Sequence, residues 1–314
     1  MGLTIGIDIG GTKIAGGVVD EAGTILTMDR RVTPSRSPEG VEKAVVELVH
    51  QFAADYAVEA VGIGAAGFVD EKRSRVLLAP NLGWVDEPLR MAIESETKLP
   101  VVVENDANAA AWGEYRFGGV DTFAEMVCVT VGTGIGGGLV FGGQLYRGAH
   151  GVAAEFGHLS IEPGGRLCGC GNRGCWEQYA SGNALVREAR LLASERRDEA
   201  EVMLDLGDGT PEGVEGEHIT EAARLGDPVA LAAFDSLARW LGLGMADVTA
   251  LLDPGIFVIG GGVSEAGDLL LGATRRAFVN ALSGKDSRPL PEIRLAKLGN
   301  EAGLIGAADL ARFR

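Results

Sequence analysis

The chain has 314 residues, 46% of them hydrophobic, which is enough to fill more than one core. Its 28 Lys plus Arg stand against 44 Asp plus Glu, and a net charge of −16 repels phosphate backbones and anionic lipid surfaces, so neither nucleic acid nor membrane is expected as a partner. Four cysteines in a chain this long exclude a small disulfide scaffold, and the opening MGLTIGIDIGG has neither basic leader nor cleavage pattern, so a cytoplasmic protein with reduced thiols is expected.

Residues 3–9 (LTIGIDI) alternate like a strand, GGTK turns, and IAGGVVD reads as a second strand. Ser37 and Pro38 then cap and open a helix carrying Val41, Val45, Leu48, Phe52 and Tyr56 at helical spacing. AVEAVGIGAAGFV (57–69) is a strand running into a glycine turn, and DEPLRMAIESETK (86–98) is a capped helix. PVVVEND (100–106) is a buried strand with a polar end, and ANAAAWGEYRFG (107–118) is again helical. The theme then returns: EMVCVTVGTGIGGGLVFGGQLY is strand, glycine tip and strand, and GIFVIGGGV is a strand into a glycine turn. Hairpin tips near 10–12 and 132–138, with strand ends near 64–67 and 260–262, imply a duplicated α/β unit with a cleft between the halves. Residues 193–217, rich in acid and glycine, read as a surface excursion, and 227–252 as a long core helix.

GIDIGGTK (6–13) lacks the residue order of a P-loop and leads into a strand. GIGAAG (62–67) and GTGIGG (132–137) match G-x-G-x-x-G without the following helix that a dinucleotide site needs, so a dehydrogenase is the lesser reading. Any one loop can be a plain tight turn. Four at strand ends, two in each half, suit phosphate oxygens instead, because glycine amides approach them closely and Thr12 and Thr133 add hydroxyl donors. Asp8, ending the first strand, is then placed to support a magnesium ion; the alternative is a turn carboxylate.

His158, Cys168, Cys170 and Cys175 supply three thiolates and an imidazole, a complete tetrahedral zinc shell without an open position, hence structural; free thiols are the alternative. Cys128 reads as a core thiol, and His50, His150 and His218 as surface residues. Glu155 and Glu177 flank the cluster. A zinc-bound imidazole keeps one nitrogen to donate, so the loop can clamp a polyol between it and two carboxylates, each of which is otherwise a solvated acid. Glu104, Asn105 and Asp106 end a buried strand facing a cleft. A phosphoryl acceptor hydroxyl needs a carboxylate to take its proton, so Asp106 is the candidate base and Asn105 a hydroxyl ligand, with helix capping as the alternative.

With DIGGTK, END, VGTGIGGG, EFGH and CGCGNRGCWEQYASG together, the chain resembles, over nearly its whole length, the ROK family of sugar kinases, and within it the members that phosphorylate glucose with ATP. The resemblance implies an α/β, actin-like ATPase (ribonuclease H-like) fold, with a small domain of residues 1–107 joined by a C-terminal helix at 300–314 and a large domain of 108–299. It implies ATP and magnesium, a structural zinc on His158, Cys168, Cys170 and Cys175, and a homodimer or homotetramer. It implies Asp106 as general base, with Asn105, Glu155, His158 and Glu177 as sugar ligands and Gly67 and Asn81 as additions. Nucleotide phosphates would meet Gly10, Gly11, Thr12 and Lys13 and the loop with Gly132, Thr133, Gly134, Gly136 and Gly137, with Gly261 and Gly262 nearer the nucleoside. Related kinases take N-acetylmannosamine, mannose or fructose. The family's repressors place a DNA-binding helix-turn-helix ahead of the kinase-like part, and with the first strand beginning by Leu3 none is expected here; a non-catalytic sugar sensor is the rival reading, and an intact Asp106 with two complete phosphate loops argues against it.

Overall fold

The structure is a computed structural model, and it describes residues 2–34 and 37–313. Two compact units emerge: Met1–Cys128 with Gly137–Ala154 and Lys297–Arg314, and Val129–Gly136 with Glu155–Ala296.

In the first unit the elements run β1 (Leu3–Ile9), β2 (Lys13–Val19), β3 (Ile25–Val32), α1 (Pro38–Asp55), β4 (Val58–Ala65), β5 (Phe68–Val69), β6 (Val76–Ala79), β7 (Trp84–Glu87), α2 (Leu89–Thr97), β8 (Val101–Asn105) and α3 (Asp106–Phe117). The main sheet has the order β3-β2-β1-β4-β8, antiparallel across β1 to β3 and parallel across β1, β4 and β8. Its central strands are buried on both faces, as parallel strands covered by helices must be. On one face Leu48 and Phe52 of α1 close over Gly16. The other face carries α10 (Ala302–Leu310), so close that a Cβ on Gly62 would fall on the carbonyl of Ala307, and one on Gly306 on the carbonyl of Ala109. Only glycine permits that backbone-to-backbone approach.

Two elements differ from the sequence expectation. The helix expected from residue 86 starts at Leu89 without a side-chain cap, because Trp84–Glu87 pairs with β6 to bury Trp84. Asp86 lies at φ 55 in that strand and pairs with Arg75 at 2.7 Å. Helix α3, expected beyond a boundary at residue 107, falls in the first unit because it packs along α10 through Gly113 and Gly306. The end of the chain expected to be helical to 314 is described to residue 313.

A second five-stranded sheet has the order β11-β10-β9-β12-β13, with β9 Glu125–Val131, β10 Ile135–Phe141, β11 Gln144–Tyr146, β12 Ile256–Gly260 and β13 Glu292–Leu295. It repeats the strand order of the first sheet, as the duplicated glycine pattern implied. The second unit holds β12 and β13 with α4 (Glu177–Ala180), α5 (Gly182–Glu195), α6 (Glu201–Leu206), α7 (Gly216–Arg224), α8 (Pro228–Leu252) and α9 (Asp268–Ala281), whereas residues 137–154, expected in the large domain, group with the first unit and carry β11 and most of β10. Residues 193–217 are no loose excursion: Met203 is fully buried, and its amide donates to Asp227 at 3.1 Å. Helix α8 is long and apolar enough to cross a membrane by length and composition, yet most of its apolar stretch is buried inside the unit. Trp176, fully buried, lies across Gly244 of α8 and donates from its ring to the Trp240 carbonyl at 2.8 Å.

Candidate active site

In the first unit, β8 ends where α3 begins, and that junction orients two side chains. Asn105 is the N-cap: its Oδ1 accepts from the Asn108 amide at 2.9 Å, while its Nδ2 donates to the Gly67 carbonyl and to Asp106 Oδ1, both at 3.1 Å. Capping is thus done by Asn105, and Asp106, on the first helical turn, keeps an oxygen for other work. Burial raises the pKa of Asp106. Asp8 stands nearby: burial first, then the Asp106 charge, push its carboxyl up to about 6 against the pull of Lys13. Gly303 of α10 faces both residues, where a Cβ would sit 3.6 Å from the Asp8 carboxyl carbon. Two carboxylates that raise each other's cost of ionisation are suited to a divalent cation and to proton transfer.

The β1–β2 tip is held open for contact. The Gly10 amide donates to the Lys13 carbonyl at 3.0 Å, and Gly11, Thr12 and Lys13 are exposed. Thr33 fixes the tip from behind: its amide donates to the Thr12 carbonyl at 3.1 Å and its hydroxyl to the Gly10 carbonyl at 2.7 Å. Sequence reasoning missed Thr33, which carries no local signal of its own. Asn81 borders Gly11, and Gly67 packs against Leu78 and Ala79, leaving no space for a side chain.

Glu104 does not face a cleft with its neighbours. It is 1% exposed, and its Oε2 lies 3.1 Å from Arg73 Nε and 2.7 Å from Arg147 Nε. The Arg147 contact is an ion pair without hydrogen-bond alignment. Its Oε1 accepts from the Asn105 amide at 3.0 Å and from Asn108 at 3.2 Å. Strand alternation explains the reversal: a polar residue one position before an outward one points inward. Glu104 is therefore the buried footing of the Asn105–Asp106 junction, and Arg147 ties it to the carbonyls of Asp70 and Glu71 at 2.9 and 3.0 Å.

In the second unit, His158 ends a single helical turn begun at Phe156, and its amide donates to the Glu155 carbonyl at 3.1 Å. His158, Cys168, Cys170 and Cys175 offer ligand atoms all within 4.8 Å of one another. Cys170 Sγ lies 3.6 Å from Cys175 Sγ, and His158 Nδ1 3.7 Å from Cys168 Sγ. A tetrahedron with Zn–S of about 2.3 Å and Zn–N of about 2.0 Å has edges of about 3.5–3.8 Å, which these two contacts match, and three thiols with one imidazole are a donor set that suits that ion. Tight turns make it possible: Cys168 N donates to the Asn172 carbonyl at 2.8 Å, and Gly174, at φ 81, abuts the Glu162 carbonyl where no Cβ fits. Burial pushes the Cys168 thiol up to about 12, and it donates to Glu177 Oε1 at 2.9 Å.

Glu177 also reaches the second glycine tip, where a Cβ on Gly134 would sit 2.5 Å from its Oε2. The tip is Gly132–Gly134, closed by Gly132 N to the Gly134 carbonyl at 3.0 Å and tied to α5 by Gly182 N to the Gly132 carbonyl at 2.7 Å. Thr133 is exposed there. Gly136 and Gly137 lie beyond the tip, within β10. Gly261 follows β12 at φ 82 and accepts from Ser264, and Gly262 opens onto free space. The structure thus groups Asp8, Gly67, Asn81, Asn105 and Asp106 in one unit, and Glu155, His158, Glu177 and the cysteines in the other.

The ROK family profile matches residues 4–314. A glucokinase of Streptomyces coelicolor is 55% identical over 99% of this chain and 98% of its own length. The crystal structure of a ROK family glucokinase from Streptomyces griseus in complex with glucose and AMPPNP superposes with a TM-score of 0.93 at 56% identity, covering 100% of both chains. A ROK hexokinase from Thermus thermophilus gives 0.79 at 37% identity over 99% of this chain and 98% of that one. These likenesses carry the actin-like ATPase fold, and the chain belongs to the ROK family.

Proposed function

We propose that this chain is an ATP-dependent glucokinase, transferring the γ-phosphoryl group of ATP to the 6-hydroxyl of glucose. The observation that carries the reading is its full-length likeness to a glucokinase solved with glucose and a non-hydrolysable ATP analogue. Asp106 orients the 6-hydroxyl and takes its proton as that oxygen attacks the γ-phosphorus and the bond to the β-phosphate oxygen breaks, releasing ADP. Its raised pKa, a consequence of burial, makes it a stronger base than an exposed aspartate. Asn105, Glu155, His158 and Glu177 bind the other hydroxyls, with Gly67 and Asn81 beside them. The Gly10–Lys13 and Gly132–Gly134 tips take the phosphates, and Gly261 and Gly262 border the nucleoside. Asp8 would support magnesium, which would supply neutralisation of the phosphate charge.

His158, Cys168, Cys170 and Cys175 would hold zinc, which would supply rigidity to the loop, and the second imidazole nitrogen of His158 would donate to the sugar. Glu177 Oε1, which accepts from the Cys168 thiol at 2.9 Å, would be open to a sugar hydroxyl if Cys168 served as a zinc ligand. We place the enzyme in the cytoplasm as a homodimer or homotetramer, with no nucleic-acid or membrane partner.

The test is ADP release with glucose, mannose, fructose and N-acetylmannosamine. Sugar- and magnesium-dependent release, highest with glucose, is expected. Tight glucose binding with no ADP from any sugar would assign a sensor instead.

A further inference from the structure

A cavity of about 210 Å³ lies in the second unit, bounded by α4, α5, α8 and the cysteine loop. Arg166, Arg187 and Arg239 line it with Tyr179 and Trp240, and Glu188 is the one acid among its lining residues. In a chain of net charge −16, such a concentration of cations is not what composition supplies by chance. Arg187 Nε is buried with no hydrogen-bond partner, while its Nη2 donates to the Gln178 carbonyl. Burial, then the Arg166 charge, lowers the Arg187 pKa, with Glu188 and Tyr179 opposing the shift only in part. Arg166 and Arg239 lie over the Tyr179 and Trp240 rings, at 5.9 and 5.1 Å from the centroids, and those rings meet at 4.6 Å.

We infer that this cavity binds the phosphate group of a small phosphomonoester. Guanidinium forks match phosphate oxygens in pairs, and a dianion supplies the missing acceptor for Arg187. The volume equals about seven waters, room for a phosphate and a short carbon body. The wall that holds the anion also carries the sugar half-site: Gln178 follows Glu177, its amide nitrogen lies 3.5 Å from Glu177 Oε1, and the Tyr179 hydroxyl accepts from the Arg166 amide at 2.8 Å. An anion that draws Arg187 and Arg166 together therefore shifts Glu177 and the cysteine loop, and changes glucose affinity. Binding itself does not rest on the proposed kinase function; the effect on glucose does.

The test titrates the zinc-loaded, full-length protein without nucleotide, using glycerol 3-phosphate, glucose 6-phosphate and inorganic phosphate, read by calorimetry and by Trp240 emission against Trp240→Phe. Saturable binding of a phosphomonoester is expected, weakened about tenfold to a hundredfold in Arg187→Gln and in Arg239→Gln. Arg239 is exposed, so its variant folds even where loss of the Arg187 bond to Gln178 loosens α4. Arg239→Gln should keep its kcat while the KM for glucose stops responding to the ester. Equal binding by wild type and both variants would overturn the site. So would inorganic phosphate binding as tightly as the esters, or an Arg239→Gln chain that changes oligomeric mass because a second copy fills the cavity. Ester binding with an unresponsive glucose KM would overturn the coupling to Glu177.

Discussion

Replacing Asp8 by Asn should make the ligand-free protein more stable and the enzyme worse. Asp8 has a pKa of about 6 in place of its ordinary 3.8, from burial and the neighbouring Asp106. The unfolded chain therefore gives up this proton first, and folding stability is fully present below pH 3.8, falls as pH rises towards 6, and is level above it. At about 1.4 kcal/mol per pH unit, an ionised Asp8 costs the folded chain about 3 kcal/mol at pH 7.5. Asp8→Asn removes a cost of that size at pH 7.5 and only a small fraction of it at pH 4, where the folded-state carboxyl is still protonated. In urea, with a slope near 3 kcal/mol per molar, the midpoint at pH 7.5 should rise by about 1 M. The assay is urea unfolding of wild type and variant at both pH values, without magnesium or nucleotide. Turnover with magnesium and ATP should drop in the same variant. A lower midpoint at pH 7.5, or an equal gain at pH 4, would refute the electrostatic reading.

Glu104→Gln leaves Arg73 and Arg147 without their buried counter-charge and should cost about 3–5 kcal/mol, read by urea unfolding; a change within error would mean that the ion pairs contribute nothing. Cys175→Ser should lower bound zinc by elemental analysis and weaken glucose binding by about tenfold or more in calorimetry. Intact glucose affinity in metal-free protein would remove the clamp role of His158. Gly62→Ala puts a methyl group onto the Ala307 carbonyl and should destabilise the first unit by about 1–3 kcal/mol, since α10 has to lift off the sheet; an unchanged unfolding midpoint would contradict that packing.

The hairpins, α1, α3 and the cysteine cluster were legible because each has a local cause: alternation, a Ser37–Pro38 start, an Asn105 cap, four ligands on a glycine-rich tether. Strand β3 was not, since an edge strand with alternating exposure and Asp29, Arg30 and Arg31 in sequence resembles a polar loop. The meander of β5 to β7 was hidden because Trp84 takes its place through distant burial, and Asp86 beside Pro88 imitates a helix start. Glu104 looked like its neighbours in sequence, and only the pairing with Arg147, 43 positions on, turns it inward. Thr33 and the carboxylate pair of Asp8 and Asp106 are likewise products of long-range pairing that no spacing encodes.

The central claim is that Asp106 takes the proton of a glucose hydroxyl during phosphoryl transfer. Single-turnover transfer of radiolabelled γ-phosphate to glucose, in Asp106→Asn beside wild type and with glucose affinity measured on the same samples, tests it most directly. The account predicts transfer slower by about a thousandfold or more with glucose affinity changed by only a few-fold. Transfer at the wild-type rate would contradict it.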